Sequence, residues 1–357
     1  MNSQTQTVTP GAPDRTPERR SSTVTSARAL LARVDRRFLP VIGTVLTLVV
    51  MLGIGQARYS TESTSFLSMR LLSNLLVDNS YLLVLAVGMT FVILTGGIDL
   101  SVGAVVALVG LTVAKLLIAG VPLPAVLIVG VLIGTVCGLM IGVMVQVFDI
   151  QPFIASLAVM FLARGLANVV SVQSLGIDDE GFAALASWSL QFGEGSGIWR
   201  INSSMIVALA VLLLAYYLLH YTRFGRTVYG LGSGDGGSAV RLMGLAAERT
   251  TVLVYVISGT CAGIAGILFA FYTRSGFNLT GIGMELDAIA AVVIGGTLLA
   301  GGVGFVLGTG VGVLVYGLIQ VLIAREGLDS WWTRVFIGIV LLGFVILQRV
   351  ISVRRRP

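Results

Sequence analysis

Charged residues are scarce in this chain: Asp, Glu, Lys and Arg make up 11% of its 357 residues, whereas 56% are hydrophobic. A soluble domain carries about 25% charged residues, so the chain lacks the polar surface that a soluble protein of this length needs. Most of its surface must therefore face lipid. Because hydrocarbon offers no hydrogen-bond partners, a backbone crosses a membrane only as helices or as a closed barrel.

The pattern of apolar residues favours helices over a barrel. Barrel strands alternate apolar and polar residues over short segments, whereas the apolar runs here are continuous and about 20 residues long, the length of a helix that crosses a ~30 Å core. The runs lie at 38–57, 72–95, 98–119, 123–148, 152–172, 203–221, 250–273, 284–300, 303–324 and 332–350. The sequence therefore predicts an all-α integral membrane protein with about ten transmembrane helices.

Side chains for catalysis and metal binding are almost missing. The chain has one histidine, His220, and two cysteines, Cys137 and Cys261, that lie inside apolar runs without a motif partner. One histidine builds neither a zinc site nor a His-based triad, and isolated apolar cysteines indicate packing. The spans contain no nucleophile–base pair, and no G-x-x-x-x-G-K-[ST] phosphate loop is present. We therefore expect no metal, no bound cofactor and no enzymatic activity.

Basic residues predict how the chain is oriented. Fifteen of the 23 lysines and arginines lie in 1–37, in 222–249 and in the tail from 349, whereas five lie in the opposite loops. By the positive-inside rule, these three regions and both termini are predicted to be cytosolic. The net charge of +6 is therefore explained by basic loop residues that set the topology and contact anionic lipid, and it does not indicate binding of nucleic acid. Residues 1–37 read as a disordered tail, 38–350 as the transmembrane domain and 351–357 as a basic tail.

Five spans precede the large acidic loop near 173–202 and five follow it, as expected for two inverted five-helix halves. The segments at 92–103 and 292–304 share a Gly-Gly break after an apolar run, although glycine richness alone gives the same likeness. Glycines spaced by four residues predict a packing seam on one helix. They are Gly130, Gly134, Gly138 and Gly142.

The most informative stretch is the break at Gly96-Gly97, followed by Asp99 and Ser101. One interpretation is that Asp99 or Ser101 caps the next helix by accepting its free N–H groups. The other is that the broken helix lines a substrate path with free backbone groups. The two interpretations are compatible.

Polar residues near membrane depth are candidates for a substrate path, because intramembrane charges are costly and often functional. Neutral hydroxyls and amides suit a sugar-like cargo, and hydrogen bonding between helices is the alternative for each. Arg164 is expected to pair with an acid on a neighbouring helix. No chain of acids, histidines and lysines suits a proton relay. The path candidates are Thr90, Thr95, Asp99, Ser101, Asn278, Glu285, Asp287 and Gln320.

The loop at 222–249, called the basic loop below, contains a candidate docking helix. The helix is capped by Asp235 or Ser238 and ended by Gly244, and it is too short to be stable alone. It suits docking in a partner's groove, although an ordinary surface helix is the alternative. Its residues are Asp235, Ser238, Val240, Arg241, Leu242, Met243, Gly244 and Leu245.

Four long segments resemble the permease subunits of bacterial ABC sugar importers, in the ribose, xylose and galactofuranose group. They are VGMTFVILTGGIDLSVGAVVAL at 87–108, IQPFIASLAVMFLARG at 150–165, TRFGRTVYGLG at 222–232 and ELDAIAAVVIGGTLLAGGVG at 285–304. The likeness runs from about 70 to 350. The segments LLSNLLVDNSYL, GGTLLAGGVG and SWWTRVFIGI are similar to one of the two non-identical permeases of the galactofuranose importer.

This resemblance implies an ABC importer permease fold and a set of partners. They are a second homologous permease in a heterodimer, an ATPase with two nucleotide-binding domains that binds the ATP, and a periplasmic or lipid-tethered sugar-binding protein. It also implies that the basic loop around 235–246 holds the coupling helix. We expect half of a galactofuranose path in the bacterial inner membrane. A permease for another furanose or a pentose such as ribose or xylose, and a gradient-driven secondary transporter or channel, are the alternatives.

Overall fold

The computed structural model describes residues 39–60, 65–193, 197–234 and 238–353. The predicted tail at 1–37, the last residues 354–357 and the predicted cap Asp235 lie outside the described residues.

The described residues form fourteen α-helices and four short strands. In chain order they are α1 (Leu39–Tyr59), α2 (Met69–Asp78), α3 (Ser80–Leu94), α4 (Val102–Ile118), α5 (Leu123–Gln146), α6 (Pro152–Val170), β1 (Leu175–Gly176), α7 (Glu180–Ser187), β2 (Ser189–Phe192), β3 (Trp199–Asn202), α8 (Ser203–Tyr221), α9 (Arg223–Leu231), α10 (Ser238–Leu242), α11 (Ala247–Thr273), β4 (Ser275–Gly276), α12 (Met284–Ile294), α13 (Val306–Arg325) and α14 (Ser330–Val353). Strand β1 pairs with β4, and β2 pairs with β3, both antiparallel.

Six helices are long and apolar enough to cross a membrane: α1, α5, α6, α8, α11 and α13. Helices α2 and α3 meet at a 59° bend and make a seventh span if they count as one, and α4 and part of α14 are shorter apolar helices. The all-α membrane fold is thus confirmed. The segment predicted at 284–300 differs, because α12 has 11 residues and reaches about 16 Å at 1.5 Å per residue. It ends at the Gly295-Gly296 pair and is about half as long as a ~30 Å core is thick.

Helix α3 is the centre of the fold. Fourteen of its 15 residues are buried, and it contacts α11, α12, α8 and α13. A helix enclosed on all sides is apolar all round, which explains why its sequence shows no polar face. Helix α1 is the opposite case, since 11% of its span is buried inside the protein and most of its apolar surface is left for lipid.

Helices α5 and α11 pack through glycines. A Cβ added at Gly259 would lie 2.7 Å from the Cα of Gly138, and one added at Gly134 would lie 2.8 Å from the Cα of Gly263. The hydroxyls of Thr135 and Thr260 share a 2.9 Å hydrogen bond beside this contact. The predicted seam therefore exists, and it joins the two helices backbone to backbone.

Helices α1 and α13 end at the same face. Arg58, at the end of α1, forms an ion pair with Glu326, just after α13, with Nε–Oε1 and NH2–Oε2 distances of 2.5 and 3.0 Å. The hydroxyl of Tyr59 also donates to Glu326. Because these side chains are exposed, the pair contributes little stability by itself, but it connects the two helix ends.

Candidate functional site

The first helix break, residues 95–101, is organised around a buried carboxylate. Asp99 is fully buried, and its Oδ1 accepts the backbone N–H of Ser101 at 2.9 Å and its hydroxyl at 2.7 Å. The Oδ2 atom accepts the hydroxyl of Ser258, from the middle of α11, at 2.8 Å. A charge in such surroundings is tolerated only when it is hydrogen-bonded, and these three donors meet that need.

The structure corrects the predicted cap at this break. Ser101 is the N-cap residue of α4, but its side chain makes no cap bond to the helix because the hydroxyl points back to Asp99. Asp99 in turn accepts the N–H two residues along, a local turn that Asp favours. Gly96, with φ of +80°, supplies the left-handed backbone that lets the chain leave α3.

The second helix break, residues 295–305, is held from outside by neutral side chains. Gln348 of α14 donates from Nε2 to the carbonyls of Val293 and Thr297, at 3.1 and 3.4 Å. Thr44 of α1 donates to the carbonyl of Ile294. The Thr297 hydroxyl is buried without a hydrogen-bond partner. Sequence reasoning missed Thr44 and Gln348, whose only signal is a polar side chain within an apolar run.

The two breaks touch each other. The N–H of Gly302 donates to the carbonyl of Leu94 at 2.9 Å, so a residue of the second break terminates the last turn of α3. A Cβ added at Gly301 would lie 2.8 Å from the nitrogen of Gly96. The Gly-Gly likeness found in the sequence therefore marks two segments that are in contact.

Two path candidates near the first break make helix contacts. The hydroxyl of Thr90 donates to Ala86 O at 2.8 Å and shares a 2.8 Å hydrogen bond with Thr309 of α13, fully buried. Thr95 donates to the Val92 carbonyl at 2.8 Å. Their role in a path, like that of Asp99 and Ser101, stays a prediction.

Arg164 holds the segment that leads into α12. Its NH1 donates to the carbonyls of Asn278 and Thr280 at 2.8 and 2.7 Å. The acidic partner predicted for Arg164 is thus replaced by two backbone carbonyls. Glu285 attracts it electrostatically, but the Glu285 Oε1 accepts the N–H of Gly283 at 3.2 Å. Carbonyls suit the role because the 275–283 segment is mostly non-helical and leaves them free.

The remaining path candidates form two small polar groups. Asn278 donates from Nδ2 to Asn168 Oδ1 at 2.5 Å, while its own Oδ1 is buried without a partner. Asp287 and Gln320 both interact with the side chain of Tyr316. Asn168 and Tyr316 escaped the sequence analysis. The signal for Tyr316 was its i,i+4 spacing from Gln320. Whether these groups contact a substrate stays a prediction.

The basic loop contains the predicted short helix, α10. Val240 is fully buried, whereas Leu242 and Met243 are 89% and 64% exposed, and Ser238 and Arg241 are exposed as well. The helix ends as predicted. Gly244 has φ of +68°, its N–H donates to Arg241 O at 2.9 Å, and the N–H of Leu245 donates to Val240 O at 3.1 Å. This is the Schellman arrangement.

Comparison with known proteins gives a consistent result along the membrane region. The chain is 41% identical over 322 residues to the fructose import permease protein FruG of Bifidobacterium longum, which covers 89% of this chain and 93% of the relative. It is 44% identical over 317 residues to the inner membrane ABC transporter permease protein YjfF of Escherichia coli, covering 86% and 93%. The ribose import permease protein RbsC of Escherichia coli is 37% identical over 307 residues, covering 85% and 92%.

No solved structure matches the chain. The family model described as "Branched-chain amino acid transport system / permease component" matches residues 71–345. This range begins in α2 and ends in α14, and it includes both helix breaks and the basic loop. The resemblance to import permeases is thus confirmed, and the chain belongs to the branched-chain amino acid transport system / permease component family.

Proposed function

We propose that this chain is the membrane permease subunit of an ATP-driven sugar importer in a bacterial inner membrane. The supporting observation is the similarity, over more than four fifths of the chain, to import permeases for fructose and ribose and to an ABC transporter permease. The family description names branched-chain amino acids, but two of these relatives carry the names of sugars, fructose and ribose, so we favour a sugar.

The energy for transport comes from a partner. The sequence contains no nucleotide phosphate loop and its described residues hold no cluster of His, Cys, Asp and Glu that suits a metal ion. We propose that an ATPase with two nucleotide-binding domains, a second permease and a periplasmic sugar-binding protein complete the importer. Leu242 and Met243 are exposed and form a small apolar surface next to the basic side chain of Arg241. We propose that the ATPase binds this surface.

The proposed substrate is a sugar in its furanose form, with galactofuranose as the first to test. The galactofuranose transporter permease protein YtfT of Escherichia coli is 37% identical over 265 residues, covering 74% of this chain and 75% of the relative. Fructose and ribose, named in other relatives, also form five-membered rings. Their hydroxyls match amide side chains such as those of Asn168 and Asn278.

Reconstituted transport tests this function. The complex with its ATPase and binding protein is placed in liposomes, and uptake of labelled galactofuranose, fructose and ribose is measured with ATP and with a non-hydrolysable analogue. We expect uptake of one of the three that requires hydrolysis. Gradient-driven uptake by the isolated chain would instead make it a secondary transporter and would overturn the proposal.

A matched pair of variants tests the docking helix. We expect Leu242→Asp to weaken binding of the ATPase to the purified permease, because a charge replaces an exposed apolar contact. Leu328→Asp is the control, since Leu328 is also exposed, at 42%, but lies after α13 at the other end of the spans. Equal ATPase binding by the two variants would remove α10 from the interface.

A further inference from the structure

The basic loop reaches the point where the two helix breaks meet. Gly232, the residue after α9, is buried and lies against the carbonyl of Leu94 and the backbone of Gly301 and Gly302. A Cβ added at Gly232 would lie 2.9 Å from the carbonyl carbon of Gly301 and would overlap the other two. Its own φ is −82°, which any residue adopts. Glycine is therefore required here by space and not by backbone conformation.

Side chains of helix α9 also contact α3 and the second break. The hydroxyl of Tyr229 donates to Gly304 O, in the second break, at 2.9 Å. Burial raises the pKa of Tyr229 to about 12, so this hydroxyl remains a donor at physiological pH. On the other side, the rings of Phe224 and Phe91, which belongs to α3, lie 6.1 Å apart. A displacement of α9 therefore acts on α3 and on the second break together.

The same helix carries the contact to α10. A Cβ added at Gly230 would lie 2.7 Å from Cγ2 of Val240, the buried residue of α10. Leu242 and Met243 point outward from the same short helix. A continuous line of packed atoms thus runs from the exposed docking residues, through Val240 and Gly230, to Gly232 and the two breaks.

We propose that Gly232 is a positioning residue that transmits movement of the basic loop to both helix breaks at once. Its backbone lies beside the hydrogen bond from the Gly302 N–H to the Leu94 carbonyl, and a side chain at this position would push Gly301 and Gly302 away from the end of α3. Withdrawal of α9 would free both breaks in one step. This inference rests on the proposed function for its role in transport, but the junction itself is testable without it.

The first measurement is coupling in the reconstituted importer. We expect Gly232→Ala to lower sugar uptake per ATP hydrolysed about 5- to 150-fold, the range of typical coupling free energies, while ATP hydrolysis stimulated by the binding protein stays within about twofold. The matched controls are Gly338→Ala and Gly343→Ala in α14, where an added Cβ meets nothing within 4 Å. A parallel fall of uptake and hydrolysis in Gly232→Ala would show a merely structural role and overturn the proposal.

The second measurement does not depend on transport. Amide hydrogen exchange of the full chain in nanodiscs reports on the Gly302 N–H. We expect faster exchange at Gly302 in Gly232→Ala and unchanged exchange in Gly343→Ala. Unchanged exchange in both variants would contradict the claim that Gly232 maintains the hydrogen bond from Gly302 to Leu94. If the wild-type importer showed no ATP-dependent uptake, the proposed function would fail while this measurement still decided the junction.

A milder variant guards against a folding defect. Tyr229→Phe removes one hydrogen bond to Gly304 and keeps the ring. We expect it to lower uptake per ATP hydrolysed in the same direction as Gly232→Ala, but by a smaller factor. Wild-type uptake per ATP in Tyr229→Phe, together with no change in Gly302 exchange, would contradict the link between α9 and the second break.

Discussion

The two helix breaks start from similar sequences and are held in different ways. Each follows an apolar run with a Gly-Gly pair. The first is held by one buried acceptor, Asp99, that collects three donors. The second is held by donors from two peripheral helices, Thr44 and Gln348, that reach its carbonyls. The polar groups at a helix break can thus be paired by one nearby charged side chain or by neutral side chains from distant parts of the chain.

The difference follows from which backbone groups each break leaves free. Helices leave N–H groups unpaired at their start and carbonyls unpaired at their end. Asp99 sits just before α4, where an acceptor is needed, whereas Thr44 and Gln348 reach the end of α12, where donors are needed. The first break is therefore stabilised mainly by one side chain, that of Asp99, whereas the second is stabilised by several weaker hydrogen bonds from two side chains.

Removing the acceptor of the first break tests this dependence most strongly. We expect Asp99→Ala to lower the free energy of unfolding by roughly 3 kcal/mol, because each buried donor left without a partner costs about 1–3 kcal/mol. Unfolding in mixed detergent micelles measures the change. Asp99→Asn is the control, since its carbonyl oxygen still accepts from Ser101. A loss under about 1 kcal/mol in Asp99→Ala would mean that the carboxylate is not the organising group.

Removing a donor from the second break should have a smaller effect. We expect Gln348→Ala to lower the free energy of unfolding by about 1–2 kcal/mol, because it removes two neutral hydrogen bonds of about 0.5–1.5 kcal/mol each. The same unfolding assay applies, with Gln348→Glu, which loses the donating amide, as a second test. If Gln348→Ala were as damaging as Asp99→Ala, the contrast between the two breaks would not hold.

The unpaired hydroxyl of the second break predicts a change of the opposite sign. We expect Thr297→Val to leave the free energy of unfolding unchanged or to raise it by up to about 1 kcal/mol, because it replaces a buried polar group without a partner by an apolar group of similar shape. Ser258→Ala is the counterpart at the first break and should be destabilising, since it takes a donor from Asp99. Destabilisation by both would show that Thr297 has an unrecognised partner.

The smallest expected effect concerns the pH dependence of the second break. Hydrogen bonds from Arg58, and then from Tyr59, lower the pKa of Glu326 below its usual value of about 4.5. A lowered folded-state pKa gives stability that is present above the unfolded pKa and is lost as pH falls through the folded pKa. This pair connects the end of α1, the helix that carries Thr44, to the residue after α13.

We therefore expect a slight loosening of the second break below about pH 4.5, seen as faster exchange of its amides. Glu326→Gln should abolish the pH dependence. A pH response that persists in Glu326→Gln would assign it to another acid.

Sequence reasoning located the breaks but not what holds them. The apolar runs, the Gly-Gly pairs, Asp99 and the end of α10 at Gly244 were all predictable, because each is set by local residue types. Thr44 lies 250 residues from Ile294, which it contacts, and no local pattern carries that information. Arg164 is also paired at long range, with the backbone carbonyls of Asn278 and Thr280, whereas its charge alone predicted an acidic partner. The shortness of α12 also escaped, since hydropathy continues through Gly295 and Gly296.

The glycine contact between α5 and α11 limits how this permease can move. The backbones are in contact at Gly138 and Gly259, and the glycines of α5 repeat about once per helical turn, or every 5.4 Å. Sliding one helix along the other would bring side chains next to the glycines into this contact, where an added Cβ has no room. We therefore expect α5 and α11 to move together, and Ser258 of α11, which hydrogen-bonds Asp99, to move with them.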